Sequence, residues 1–272
     1  MSRTLAEVLD VVERRWPIAG MEPWDAAGLV AGDPKVEVRR ILLVVDAVRA
    51  TVDEAIDGGF DLVIAHHPLL LRGVTTVAED RYKGAVLAKL IRGGCALVAA
   101  HTNADVVETG TSAVLAERLG LLDVRPIVPA PDGRTGLGRV GRLPEPTTLG
   151  RLARRLAEVL PPTATGVRAA GDFDGPVETV ALCGGAGDSL LADPAVRAAD
   201  VYVTADLRHH PASEAREQAL VGGGPALLDV SHWASEWLWL DRAAAELRED
   251  LPELDVVVSE LRTDPWDFQV VQ

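Results

Sequence analysis

The chain has six histidines, at positions 66, 67, 101, 209, 210 and 232. Imidazoles supply metal ligands and proton carriers near neutral pH, so their neighbourhoods come first. His66-His67-Pro68 closes the apolar run Asp61–Ala65. Side chains alternate between faces inside a strand, but a strand end relaxes that alternation, and Pro68 keeps His67 extended. Two adjacent imidazoles there could serve one cavity. His101 and Asp105 stand four apart in His101-Thr102-Asn103-Ala104-Asp105. They could share a metal if the segment turns helically; the competing reading is a polar turn in which Asn103 and Asp105 bond their own backbone. His232 and Glu236 are also four apart, on one face of a helix, as a ligand pair or an ordinary polar pair.

Taken together, His66, His67, His101, Asp105, His232 and Glu236 make six candidate ligands. A structural zinc takes four ligands and a catalytic zinc three plus water. Six ligands with two carboxylates suit two cations better than one, at the ~3.5–4 Å separation of two-metal sites. Imidazole with carboxylate accommodates Zn, Fe, Mn, Co or Ni. Asp25, in a Trp-Asp loop, could orient a ligand histidine or cap its own turn. Asp206 and His210 are candidate catalytic residues, as proton carriers or substrate contacts. The alternative for that segment is a helix start with Pro211 in its first position.

These residues need elements to hold them. Thr4 and Glu7 have capping-box spacing, with Leu5, Val8, Leu9 and Val12 following at helical intervals until Pro17. The short branched run Arg40–Asp46 reads as a buried strand, Val48–Asp57 as a helix, and Asp61–Ala65 as a second strand. Gly84–Ile91 reads as helix, Cys95–Ala100 as strand, and Ser112–Leu119 as helix with Gly120 after it. Thr148 can cap a helix closed by Pro161. Strands follow at Thr179–Cys183, Val201–Thr204 and Leu227–Val230. A helix from Ser231 to about Glu249 carries the apolar stripe Trp233, Trp237, Leu240, Ala244 and Leu247, and Asp255–Glu260 is a closing strand. This alternation predicts an α/β fold of three-layer lobes with mostly parallel sheets. Ligands in such sheets gather beyond the strand carboxyl ends, where His66, His67 and His101 fall. The Pro-rich stretch Pro126–Pro131 marks a boundary, with a metal-binding lobe of 1–125 plus 225–272 and a second lobe of 126–224.

Composition narrows the function classes. At 48% hydrophobic and 25% charged the chain is globular rather than disordered. A net charge of −14 argues against nucleic acid, despite the cluster Arg151, Arg154 and Arg155, which reads as a solvated helix face. Glu7, Asp10 and Glu13 interrupt any signal-peptide core, no apolar run approaches ~18 residues, and the expected compartment is cytoplasmic. The two cysteines, Cys95 and Cys183, sit in apolar stretches and read as buried hydrophobes. Gly136-Leu137-Gly138-Arg139-Val140-Gly141 matches GxGxxG, but Pro144 and Pro146 follow where a dinucleotide site needs a helix. Neither GxxxxGK[ST] nor GxSxG occurs.

Several spaced segments resemble the Nif-three-like dinuclear-metal family, whose members are often called GTP cyclohydrolase 1 type 2 homologues. They are Trp24–Gly32 (WDAAGLVAG), Asp61–Leu70 (DLVIAHHPLL), Ala99–Val106 (AAHTNADV), Gly136–Gly141 (GLGRVG), Ala181–Gly187 (ALCGGAG), Val201–His210 (VYVTADLRHH) and Leu227–Glu236 (LLDVSHWASE). The resemblance implies that the six candidate ligands surround two metal ions. It also implies two interlocked α/β lobes and a toroidal homohexamer with metal sites facing an internal cavity. The chain departs from the family pattern at Ala26 (usually Asn), Ala205 (usually Gly) and Ser235 (often Thr), and is too short for the domain some members insert between the lobes.

Two function classes follow. The first is a metal-dependent hydrolase that uses a metal-activated water on a small-molecule substrate, such as a phosphorylated or nucleotide-like one. GTP cyclohydrolase activity is an inherited label, because nothing in the sequence identifies a guanine pocket. The second is a non-enzymatic assembly that stores, delivers or senses metal, or serves as a scaffold.

Overall fold

The structure is a computed structural model that describes residues 2–271. The chain opens with strand β1 (Arg3–Thr4) and helix α1 (Leu5–Arg15). The capping box forms as expected: Thr4 accepts from the Glu7 amide while the Glu7 carboxylate accepts from the Thr4 amide. Then come β2 (Gly28–Ala31), β3 (Glu37–Val38), β4 (Arg40–Asp46), α2 (Arg49–Asp57), β5 (Leu62–His67), α3 (Tyr82–Gly93), β6 (Ala96–Ala99), the helical turn α4 (Thr102–Asp105) and α5 (Thr111–Arg118). The middle of the chain holds β7 (Leu122–Arg125), β8 (Val128–Pro129), β9 (Gly136–Leu137), β10 (Arg139–Thr148), α6 (Leu149–Val159), β11 (Arg168–Ala170) and β12 (Pro176–Ala186). The last part holds α7 (Pro194–Arg197), β13 (Val201–Ala205), α8 (His209–Gly222), β14 (Ala226–Val230), α9 (His232–Asp250) and β15 (Asp255–Val258).

The chain divides into two compact units, Met1–Ala104 with Leu240–Thr263, and Asp105–Trp239 with Asp264–Gln272. The boundaries expected from the sequence, 125/126 and 224/225, differ from these. The difference lies in strand pairing: β7 bonds to β10, and β14 lies between β11 and β13, so both belong to the second unit's sheet.

The first unit is built on a five-stranded sheet in the order β15-β4-β5-β6-β2. All its pairs are parallel except β2 with β6. Alternation puts Leu42 and Val44 of β4, Val63 and Ala65 of β5, and Leu97 of β6 into one core with Val52 and Ala55 of α2 and Val86 and Leu90 of α3. Ile41, Leu43, Ile64 and Val98, on the other face, are buried as well. Strands covered on both faces read as continuous apolar runs, and these do.

The second unit has a six-stranded mixed sheet, β11-β14-β13-β12-β10-β7, in which only β12-β13 and β13-β14 are parallel. The expectation of mostly parallel strands therefore holds for the first sheet and not for this one. Its antiparallel pairs are β10 with β7 and β12, and β11 with β14; the β10–β12 pairing breaks between Arg142 and Thr147, the stretch that holds Pro144 and Pro146. Prolines lack the N–H a ladder needs, so the irregularity falls where they stand. Val140, Ala181, Cys183, Val196, Tyr202 and Leu227 form this unit's core. Helix α9 begins in the second unit and continues into the first. Trp233, Leu240, Ala244 and Leu247 of the expected stripe are buried, with Ala234, Leu238, Trp239 and Ala243, whereas Trp237 is half-buried and Asp241, Ala245, Arg248 and Glu249 are exposed. Among the described residues no helix is long and apolar enough to cross a membrane.

Candidate metal centre

In the first unit the parallel sheet ends on three histidines. His66 and His67 are the last two residues of β5, and His101 follows β6. Their ring centroids lie 5.1 Å (66–67), 5.3 Å (66–101) and 5.5 Å (67–101) apart. One nitrogen of each ring lies within 4.8 Å of one from each of the others. The relaxed alternation expected at the strand end is thus realised, since both adjacent imidazoles join one cluster.

Each ring is oriented by an oxygen at Nδ1. His66 Nδ1 meets the Ala100 carbonyl at 2.9 Å, His67 Nδ1 the Asp46 carboxylate at 2.7 Å, and His101 Nδ1 the Asp25 carboxylate at 2.8 Å. A carbonyl or carboxylate oxygen only accepts, so Nδ1 carries the proton and coordination falls to Nε2. Asp25 both holds the His101 ring and caps its own turn. Besides holding His101, it accepts from the Thr102 amide, the Thr102 hydroxyl and the Ala26 amide, which closes the Trp-Asp loop. Burial pushes its pKa up, but the bonds from Thr102 and His101 outweigh burial and hold it below the usual carboxylate value. Trp24 sets its ring edge-on to His101 at 5.8 Å.

Asp46 escaped the sequence reading. It ends β4 in register with His67 of β5, and Thr263 donates to its second oxygen. Only the register of two strands brings these residues together, although an acidic residue closing a strand beside one that ends in histidine was a signal.

The second unit carries the other three expected ligands. Asp105 ends α4, so the segment after His101 does turn helically, and its carboxylate accepts from the Thr111 hydroxyl. His232 and Glu236 lie one turn apart at the start of α9, with His232 Nε2 at 3.0 Å from Glu236 Oε1. Glu236 is buried. His232 Nδ1 meets Asp206 Oδ2 at 2.8 Å. Burial works to lower the His232 pKa, yet the charge of Glu236 and the bond to Asp206 prevail and raise it well above its ordinary value. Asp206 adopts a left-handed φ of 56°, uncommon outside glycine and asparagine, immediately after β13. This backbone carries the carboxylate that reaches His232.

Gly185 forms a close wall to this pair. Its φ is +70°, and a Cβ there would stand 2.3 Å from Glu236 Oε1 and 3.2 Å from His232 Nε2. Ser235, where the resemblance leads one to expect threonine, supplies the needed hydroxyl: it accepts from the Gly185 amide and donates to the His232 carbonyl. His209 and His210 begin α8, exposed, with rings 5.3 Å apart and nearly perpendicular. Pro211 is the third residue of that helix rather than its first.

The donor set fits divalent metal. Three imidazoles converge in one unit, an imidazole and two carboxylates stand in the other, and three of the four rings are braced by aspartate. The protein is thus an α/β chain of two units whose sheets and helix ends present histidine and carboxylate groups that could bind metal. It belongs to the Duf34/NIF3 (NGG1p interacting factor 3) family, whose model matches residues 3–265. A Streptomyces coelicolor protein named GTP cyclohydrolase 1 type 2 homolog is 49% identical over 273 residues, covering 98% of this chain and 94% of that one. A Mycobacterium tuberculosis protein of the same name is 36% identical over 377 positions, covering 98% of each chain. The alignment is longer than this chain's 272 residues, in keeping with an insertion that this chain lacks. A crystal structure of a Staphylococcus aureus hypothetical protein superposes with a TM-score of 0.87 at 26% identity, covering 98% and 99% of the two chains. One of a Bacillus cereus protein related to NIF3 gives 0.89 at 24% identity with the same coverage and supports the fold.

Proposed function

We propose that His66, His67, His101, Asp105, His232 and Glu236 hold two divalent cations, and that the protein is a metal-dependent hydrolase. The observation that carries this reading is the convergence of His66, His67 and His101, each with its Nδ1 engaged by an oxygen. Cations bound there would lower the pKa of a coordinated water to near neutrality and so supply a nucleophile. The chain's own part is positional. Ala100, Asp46 and Asp25 fix the tautomers and ring angles of the first three histidines, and Asp206 does so for His232. We assign Asp206 to this bracing role in place of proton transfer. Buried Glu236, held against the Gly185 backbone, supplies negative charge that offsets the cations.

The substrate class we propose is a small phosphorylated or nucleotide-like molecule, reached in a homohexamer as the family resemblance implies. The relatives' name would set the same nucleophile against C8 of a guanine ring; our reading rests on the nucleophile and not on GTP. A non-enzymatic metal store or scaffold is favoured by one observation: His210, the candidate proton carrier, lies exposed against His209 on α8. The test is hydrolysis of bis(p-nitrophenyl) phosphate and p-nitrophenyl phosphate by chelator-stripped protein reloaded with Zn, Mn, Fe(II), Co or Ni. The hydrolase reading expects metal-dependent turnover that His67→Ala abolishes. Metal loading without turnover on either ester would leave the storage reading standing.

A further inference from the structure

The segment that mimics a dinucleotide fingerprint, Gly136–Gly141, has a different task. Its glycines admit neighbouring chain: a Cβ on Gly136 would meet the Val128 carbonyl at 2.1 Å, one on Gly138 would meet Ile127 Cδ1 at 2.7 Å, and one on Gly141 the Leu122 carbonyl at 2.8 Å. Between them stands Arg139, 3% exposed. Its Nη1 donates to the Gly136 and Gly138 carbonyls and its Nη2 to the Val107 carbonyl, all at 2.7 Å. The Gly136 amide donates to the Val106 carbonyl at 2.8 Å. Both carbonyls that follow Asp105 are therefore pinned to the β9–β10 turn, one by a main-chain bond and one by a buried cation. Among the described residues, every hydrogen-bond acceptor that Arg139 uses is a main-chain carbonyl. Burying a guanidinium against neutral acceptors is costly, and burial lowers its pKa. The charges of Glu108 and Asp105 attract the buried guanidinium, so its charge bears on the candidate ligand as well as on the turn. Asp105 leaves this clamped segment to meet Thr111.

We infer that Arg139 is a positioning residue that holds the Asp105 carboxylate in place for a divalent cation. The inference rests on the assignment of Asp105 as a metal ligand. A planar fork spans the three carbonyls in a way that a lysine ammonium, a single point charge, does not. Outer partners of metal ligands typically contribute about 10–100-fold in affinity, and Arg139 is expected in the lower part of that range because it acts through the main chain.

The test is Zn(II) affinity, by competition with a chromophoric chelator, for wild type, Arg139→Lys, Arg139→Gln, Asp105→Asn and the double variant Asp105→Asn/Arg139→Lys. Thermal melts verify folding, and the absorption spectrum of Co(II)-loaded protein reports ligand geometry. The expected result is about a tenfold weaker Zn(II) affinity and an altered Co(II) spectrum in folded Arg139→Lys, with the double variant no weaker than Asp105→Asn alone. Should Arg139→Gln fail to fold, Arg139→Lys carries the test. Wild-type affinity and spectrum in Arg139→Lys, while Asp105→Asn binds weakly, would overturn the role of Arg139. Wild-type affinity in Asp105→Asn would instead overturn the ligand assignment beneath it.

Discussion

Replacing Gly185 with alanine adds one methyl group at the tightest point of the second unit's donor pair. Two costs follow, and the structure separates them. The first is conformational. Gly185 has a φ of +70°, and an alanine held in the left-handed region costs about 1–2 kcal/mol. In a chain of this size each kilocalorie lowers Tm by roughly 2–4 °C. The second is steric. The methyl would stand 2.3 Å from Glu236 Oε1, so the carboxylate must leave the position in which it faces His232 Nε2. Glu236 is buried and has little room to retreat without turning away from the donor pair. Losing correct placement of a ligand is expected to weaken metal affinity at least as much as losing an outer partner, about 10–100-fold. Gly133 isolates the first cost, because its φ is +72° and a Cβ there meets nothing within 4 Å. The assay is Zn(II) titration against a competing chelator, with a thermal melt of each metal-free protein. Gly185→Ala should lose at least as much Tm as Gly133→Ala, because it also breaks the His232–Glu236 pairing, and only Gly185→Ala should lose affinity. Wild-type affinity in Gly185→Ala, or an equal loss in Gly133→Ala, would refute the reasoning.

Other expectations concern the braces, protons, thiols and core. Asp25→Asn, Asp46→Asn and Asp206→Asn should each weaken Zn(II) binding by about 10–100-fold, measured by the same competition, because each loosens the tautomer of one histidine. His232 has a folded pKa above its unfolded value, so its pairing with Glu236 and Asp206 stabilises the metal-free protein fully below about pH 6.5. That contribution is lost as pH rises through the folded pKa. Metal bound at His232, as proposed, would displace this proton, so calorimetry in buffers of different ionisation enthalpy should show proton release on Zn(II) binding at pH 7, smaller in His232→Gln. Burial pushes the Cys95 and Cys183 thiols up to about 12, so neither should react with Ellman's reagent until denaturant is added. Leu90→Ala should cost about 2–5 kcal/mol by urea unfolding, for Leu90 is fully buried among β5, β6 and α2 residues.

The elements that position the histidines were legible because their local signals agree with their tertiary setting. β4 spans the residues read from the run RILLVVD, and α1 and α6 begin at the caps their threonines announce. β14 begins one residue earlier than expected, at Ala226, and α9 one residue later, at His232. What stayed hidden depends on long-range pairing. β2 is a four-residue edge strand whose antiparallel bonds to β6 leave no periodic mark. β10 contains two prolines, which argue locally against a strand; its irregular register with β12 absorbs them. The same limit governs the site. His66, His67 and His101 could be placed from strand ends alone, because a parallel sheet brings those ends together. Asp46 could not, since its partnership requires knowing which strand lies beside β5. The part of Asp206 was likewise invisible, because a left-handed residue 26 positions before His232 must aim at its ring.

The central claim is that this chain holds two metal ions on the six named residues. The most direct test is metal content by inductively coupled plasma mass spectrometry, on untagged protein purified without chelator beside His66→Ala and Glu236→Ala. The account predicts about two metals per chain in the wild type and fewer in both variants, each still folded. Wild-type protein that stays metal-free after incubation with Zn, Mn and Fe(II) would contradict it.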